Sequence, residues 1–229
     1  MPTHGTLIKN QKKMTKLIIF DLDGTLIDTR TDLANACNYA LTRCGFPERR
    51  LEEYNMLVGR GIDNLFRGAM PAEFANDGNV AKMRSIFVPY YNEHSCDFTK
   101  PYDGIIEMFE ELESKGIHFA VASNKYQEGT QQLVKEFFSK FSFVKILGQR
   151  EGKAIKPDPL IVSEAMEGVP GITHDEVLYV GDSNVDMQTG INAGVRTIGV
   201  TWGFRTREEL EAYSPLALID HPAEILRYL

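Results

Sequence analysis

The sequence predicts an α/β fold, a doubly wound parallel sheet with an all-helical segment inserted into it. Three observations carry this expectation. Short, almost wholly apolar runs recur along the chain, as in parallel strands covered on both faces. Stretches of helical periodicity separate them, the alternation that implies right-handed strand–helix–strand crossovers. The alternation fails once, over residues 28–100, where helical patterns follow one another without a strand.

"KLIIFD" (16–21) is the first strand, and its unbroken apolar character suits a central position. Residues 28–100 then hold four helical patterns: "TDLANACNYALTRCGF", "ERRLEEYNMLVG", "GIDNLFRGAM" and "NVAKMRSIFVPYYNEHSC". Pro89 is expected to interrupt or kink the last. The chain is thereby divided into a core, residues 1–27 and 101–229, and a helical module, 28–100, with residues 1–13 a polar extension. "GIIEMFEELESKG" (104–116) places Ile105, Met108, Phe109 and Leu112 on one helical face and stops at Gly116. Strands follow at 118–123, 143–148, 176–182 and 195–200, with 216–220 a weaker sixth; helical stretches at 158–166, 186–193 and 206–213 separate the later ones.

At 229 residues and 43% apolar content, the chain is long enough to bury a proper core without metals or disulfides. Its net charge of −7 argues against a broad nucleic-acid or anionic-membrane footprint. No run of roughly 18 apolar residues would cross a membrane, and the opening residues do not resemble a signal peptide. Cys37, Cys44 and Cys96 are an odd set without metal-type spacing. On one helix, Cys37 and Cys44 would lie about 10 Å apart along the axis, too far for a disulfide. Reduced thiols point to the cytoplasm. The sequence carries no signal of oligomeric state.

The chemistry lies where the apolar runs end. Asp21 and Asp23, Ser123 and Asn124, Lys156, and Asp182 with Asp186 each follow a predicted strand. In an open α/β sheet such positions converge on one crevice. Aspartates crowded around one point repel one another, and a hard divalent cation removes that penalty; an all-oxygen set suits Mg²⁺. Lys156 and the Ser123 hydroxyl suit an anion instead. Together these groups fit phosphoryl transfer, in which a site positions the group and stabilises its charge.

With these residues in view, the chain resembles the haloacid dehalogenase superfamily, and within it the phosphoglycolate phosphatase-like branch with a helical cap. "DLDGT" (21–25), "ASNK" (122–125), "KPDP" (156–159) and "GDSNVD" (181–186) match the family's four motifs in order. The resemblance implies a Rossmann-like core and a cap over residues 28–100 that closes on the site. It makes Asp21 the nucleophile and Asp23 the acid/base; an acid at that second position implies a phosphatase or phosphomutase. It places Mg²⁺ on Asp21, the main-chain carbonyl of Asp23 and Asp182, with Asp186 in support. Gly24, Thr25, Ser123 and Asn124 would hold phosphoryl oxygens, and Lys156 would neutralise phosphate and nucleophile. Arg60, in the glycine-flanked "VGRGID", is a candidate for a second anionic group of the substrate.

The activity implied is a Mg²⁺-dependent phosphomonoesterase acting on a small soluble phosphoester, 2-phosphoglycolate foremost. A β-phosphoglucomutase or an inorganic pyrophosphatase of the same family competes with it. A phospho-aspartate signalling receiver would use similar groups but needs roughly half this length. "DSNVDM" is not a calcium loop, because Met187 and Ala193 stand where glycine and glutamate belong. Lys125 reads equally as a solvated turn residue or a substrate contact, and Arg205 as a surface residue.

Overall fold

A computed structural model describes residues 14–229; the polar extension at 1–13 lies outside the described residues. In chain order the elements are β1 (Leu17–Phe20), β2 (Ile27–Asp28), α1 (Arg30–Cys44), α2 (Tyr54–Leu57), α3 (Ile62–Ala69), α4 (Asp77–His94) and β3 (Lys100–Pro101). Then come α5 (Ile105–Ser114), β4 (His118–Tyr126), α6 (Gln127–Phe138), β5 (Lys145–Gln149), α7 (Leu160–Met166) and β6 (Val177–Gly181). The chain closes with α8 (Asn184–Ala193), β7 (Arg196–Val200), α9 (Arg207–Glu211) and β8 (Ala217–Ile219).

Six strands form one parallel sheet in the order β5-β4-β1-β6-β7-β8. Strand β1 is central and all four of its residues are buried, as its unbroken apolar run requires. The period-two alternation of a strand sends those residues to opposite faces. Ile18 and Phe20 join one apolar cluster with α5 and α6, while Leu17 and Ile19 join another with α7. Phe109 of α5 is a hub of the first cluster, its ring 4.8 Å from Phe119 and 5.4 Å from both Phe20 and Phe138. Helices on both faces make the sheet doubly wound.

Between β1 and β4 the chain leaves the sheet. The two-residue strands β2 and β3 pair antiparallel, Ile27 with Pro101 and Asp28 with Lys100, so the exit and the return lie side by side. Buried Asp32 ties the return down, accepting bonds from the Phe98 and Thr99 amides and the Thr99 hydroxyl. Helices α1 to α4 bury an apolar cluster of their own that includes Leu41, Phe66, Met83, Phe87 and Tyr91; Phe204 joins it from later in the chain and Tyr126 packs against it.

Two local expectations are revised, and three elements had not been expected. Helix α4 runs continuously through Pro89, which sits on its exposed face while Val80, Met83, Phe87 and Tyr91 pin the other. The pattern at 48–59 yields only a 3-10 turn at Leu51–Glu53 and the single turn of α2, because Tyr54 and Val58 alone are buried there. Helix α6 was not legible: its first turns are polar and its apolar residues crowd its last turn and a half. Strands β2 and β3 are too short to leave a pattern.

Candidate active site

The strand pairing of β1 continues one residue past its end, where the Asp21 amide donates to the Val180 carbonyl (2.9 Å). The turn that follows brings Asp23 back beside Ile27 and depends on Gly24 at φ +87°. A Cβ on Gly24 would lie 2.4 Å from an Asp182 carboxylate oxygen. The motif's glycine is thus fixed by the close approach of two strand ends.

Asp21, buried, accepts on Oδ1 from the Leu22 amide (2.7 Å), and Lys156 Nζ lies 2.8 Å from the same oxygen. Burial lifts the Asp21 carboxyl well above the usual carboxylate range; the charge of Asp186 adds to the rise and Lys156 opposes it. Lys156 Nζ also lies 2.7 Å from Asp186 Oδ1. Burial acts to lower the Lys156 pKa, but Asp186 and Asp21 outweigh it and hold it well above the ordinary lysine value. Asp182 accepts from the Phe204 amide (2.7 Å) and the Thr25 hydroxyl (3.3 Å); burial first, then Asp186, pushes its carboxyl up to about 7.

Asp186 stands in the first turn of α8, where Ser183 caps the helix. The Ser183 hydroxyl donates to Asp186 Oδ2 (2.6 Å) and accepts from the Asp186 amide (3.3 Å). Asp186 is thereby oriented by its own helix start. Asp21, Asp182 and Asp186 present oxygens that all lie within 4.8 Å of one another. Lys156 is the ammonium paired within this cluster, so three carboxylates exceed one cation. That excess, on an all-oxygen donor set, fits a hard divalent cation.

Asp23 belongs to a different neighbourhood. It accepts on Oδ1 from the Thr29 hydroxyl (2.7 Å), and Lys125 Nζ lies 3.0 and 3.1 Å from its two oxygens. Lys125 is 8% exposed, and its ammonium sits 4.8 Å over the ring of Tyr91 in α4. The reading of Lys125 as a solvated turn residue is therefore corrected. Its position directly after Ser123 and Asn124, in one strand end, was the signal available.

The remaining predicted residues divide into those facing the site and those bracing it. Ser123 is buried and lines the cavity, and its Oγ accepts from the Lys125 amide (3.1 Å). Asn124 is a brace, its side-chain amide donating to the Gly59 and Lys156 carbonyls while its Oδ1 accepts from the Lys156 amide. The Gly24 amide is already used by the Ile27 carbonyl (2.9 Å), and the Thr25 hydroxyl by Asp182, so neither is free to hold phosphate as expected.

Arg60 is not brought to Asp21 and Asp23. Gly59 and Gly61, both at positive φ, turn their backbone toward the cavity, whereas Arg60 is exposed and lines a neighbouring groove with Asn64, Asn184 and Gln188. Arg205, expected at the surface, is buried and donates to the carbonyls of Asn55 and Val58, holding the loop that carries those glycines.

Asp21, Asp23, Ser123 and Lys125 meet Leu33, Val58, Ile62, Leu65 and Phe87 around a cavity of about 40 Å³. One wall is polar and comes from the sheet; the other is apolar and comes from the helices.

The sequence of residues 18–200 matches the model of the haloacid dehalogenase-like hydrolase family. A phosphoglycolate phosphatase of Vibrio parahaemolyticus is 31% identical over 216 residues, covering 92% of this chain and 94% of its own. One of Pseudomonas putida is 32% identical, covering 90% and 77%. The crystal structure of a Lactobacillus delbrueckii protein, itself only provisionally assigned as a phosphoglycolate phosphatase, superposes with a TM-score of 0.84 at 31% identity over 93% of this chain and 97% of that one. By sequence and fold alike, the chain belongs to the haloacid dehalogenase-like hydrolases, in the branch whose members include the phosphoglycolate phosphatases.

Proposed function

We propose that this hydrolase is a Mg²⁺-dependent phosphomonoesterase that acts on 2-phosphoglycolate through an aspartyl-phosphate. The observation that carries the reading is the division of labour between two aspartates two residues apart. Asp21 faces the acidic cluster and Lys156, while Asp23 faces Lys125 and Thr29. A nucleophile and an acid/base need such separate surroundings within one pocket.

Asp21 attacks phosphorus in line, and the bond from phosphorus to the leaving oxygen breaks. Asp23 gives that oxygen its proton, then takes one from the water that attacks the aspartyl-phosphate; inorganic phosphate leaves and Asp21 is regenerated. Ser123 donates a hydrogen bond from its hydroxyl to a phosphoryl oxygen, and Lys156 balances charge on phosphate and nucleophile. Asp21, the Asp23 carbonyl and Asp182 would hold Mg²⁺, with Asp186 supporting. The ion would supply positive charge between two anions that must meet.

We read residues 28–100 as a cap, with residues 14–27 and 101–229 as the core. A cavity of about 40 Å³ has room for only a few water molecules, so substrate enters when the helices move away and is shielded from bulk water when they return. A two-carbon ester demands less of that movement than a hexose phosphate does.

The test is phosphate release from a panel of small phosphoesters with Mg²⁺, repeated with EDTA and with Asp21→Asn. Turnover that prefers 2-phosphoglycolate and vanishes in both controls is the expected result. Turnover surviving Asp21→Asn would overturn the nucleophile, and equal rates across the panel would overturn the substrate.

A further inference from the structure

A substrate with two anionic groups poses a charge problem that the phosphate-binding residues do not solve. Lys156 is held by Asp21 and Asp186 and does not line the cavity. Asn124 has its amide donors committed to carbonyls, and Arg60 stands outside. The helical wall is apolar. A second anion buried against these groups would lack a partner, and an unpaired buried charge is strongly unfavourable. Among the described residues that line the cavity, Lys125 alone carries positive charge.

Resting on the phosphatase reading above, we propose that Lys125 is the specificity-determining residue, receiving a carboxylate of the substrate in exchange for its pairing with Asp23. Three features of the structure suit it to this role. Its ammonium is buried, so its attraction for an anion is little screened. It is a compact point charge on a flexible stem, able to move between two neighbouring acceptors as a planar guanidinium is not. Its strand also changes register against β5 between Ala122 and Tyr126, and the side chain in that stretch reaches Tyr91 of α4.

The exchange links recognition to chemistry. In the structure Lys125 contacts both oxygens of Asp23, the group assigned to serve the leaving oxygen. A substrate carboxylate draws the ammonium away and leaves Asp23 facing the ester. An ester without the second anion has nothing to offer Lys125, and Asp23 stays engaged. Because Lys125 also covers the Tyr91 ring, its displacement is felt by α4, the helix across the cavity.

The experiment compares kcat/KM for 2-phosphoglycolate with that for ethyl phosphate, which has two carbons and no carboxylate, in the wild type, Lys125→Met and Lys125→Gln. Glutamine keeps a hydrogen-bond donor for Asp23 without the charge and guards against loss of fold in the methionine variant. We expect the wild type to prefer the carboxylated ester. In both variants the preference should fall by about 100-fold or more, the order expected when one partner of a buried charge pair is removed. 2-Phosphoglycolate should lose in both KM and kcat, whereas ethyl phosphate should gain in Lys125→Met, where Asp23 is no longer engaged by the ammonium. Equal losses on both esters would overturn the proposal and leave Lys125 a partner of Asp23 only; so would a wild type that does not distinguish the esters. A wild type inert toward every phosphomonoester would overturn the phosphatase reading itself, a different result from either.

Discussion

Lys125 Nζ lies 3.0 and 3.1 Å from the two carboxylate oxygens of Asp23, so two neighbouring aspartates each have a lysine of their own. Asp23 is thereby held apart from the acidic cluster that Asp21 joins. Asp23→Asn preserves the shape of the side chain and removes its ability to move a proton. Steady-state assays should show kcat lowered by about 10²–10⁴-fold, the usual worth of a positioned acid/base, with KM changed far less. A variant with normal kcat would remove Asp23 from the chemistry.

The cluster of Asp21, Asp182 and Asp186 should make folding sensitive to divalent cations. A ligand that binds only the native state stabilises it by about 2.7 kcal/mol at a hundred times its dissociation constant. Thermal melts with Mg²⁺ and with EDTA should therefore differ in the wild type. Asp182→Asn should abolish the difference while folding at least as well without metal, since it removes one of the mutually repelling buried carboxylates. An undiminished Mg²⁺ response in that variant would place the ion elsewhere.

Phe109 touches Phe20, Phe119 and Phe138 at the centre of one face of the sheet and is fully buried. Phe109→Ala should cost about 3–5 kcal/mol in denaturant unfolding, from lost transfer energy and the cavity left behind. A loss under about 1 kcal/mol would mean that the surrounding rings collapse into the space.

Lys16 Nζ lies 2.7 Å from Glu176 Oε1 where β1 and β6 begin. The bond from Lys16, with further bonds from Thr173, holds the Glu176 carboxyl down at about 2. A carboxyl whose pKa is lowered by folding adds stability above its unfolded value and loses it as pH falls through the folded one. Glu176→Gln should therefore narrow its stability gap to the wild type as pH drops from about 4.5 toward 2. A gap that stays constant with pH would rule out the ion pair as its source.

Burial pushes the Cys37 thiol up to about 12, while Cys96 is exposed. Since the thiolate is the reactive form, brief alkylation of the native protein at pH 8 should modify Cys96 and spare Cys37, as read by peptide mass. Modification of Cys37 at a similar rate would show that α1 opens readily.

The sequence by itself determined that six core strands alternate with helices and, to within about three residues, where each strand ends, because apolar period and turn chemistry are local properties. Since a doubly wound sheet gathers strand ends at one edge, it also determined that Asp21, Asp23, Ser123, Lys156, Asp182 and Asp186 would meet. Tertiary structure alone decided which charge faces which. Asp21 and Asp23 are indistinguishable as letters; the turn at Gly24 gives one to Lys156 and the other to Lys125. Arg60 and Lys125 are likewise two cations beside glycine or turn residues. Backbone direction places the first outside the cavity and the second over Tyr91. The side chains of Asn124 and Thr25 are committed to neighbours far away in sequence. Charge pairing and hydrogen-bond satisfaction depend on distances of a few ångströms between remote segments, and no local pattern encodes those.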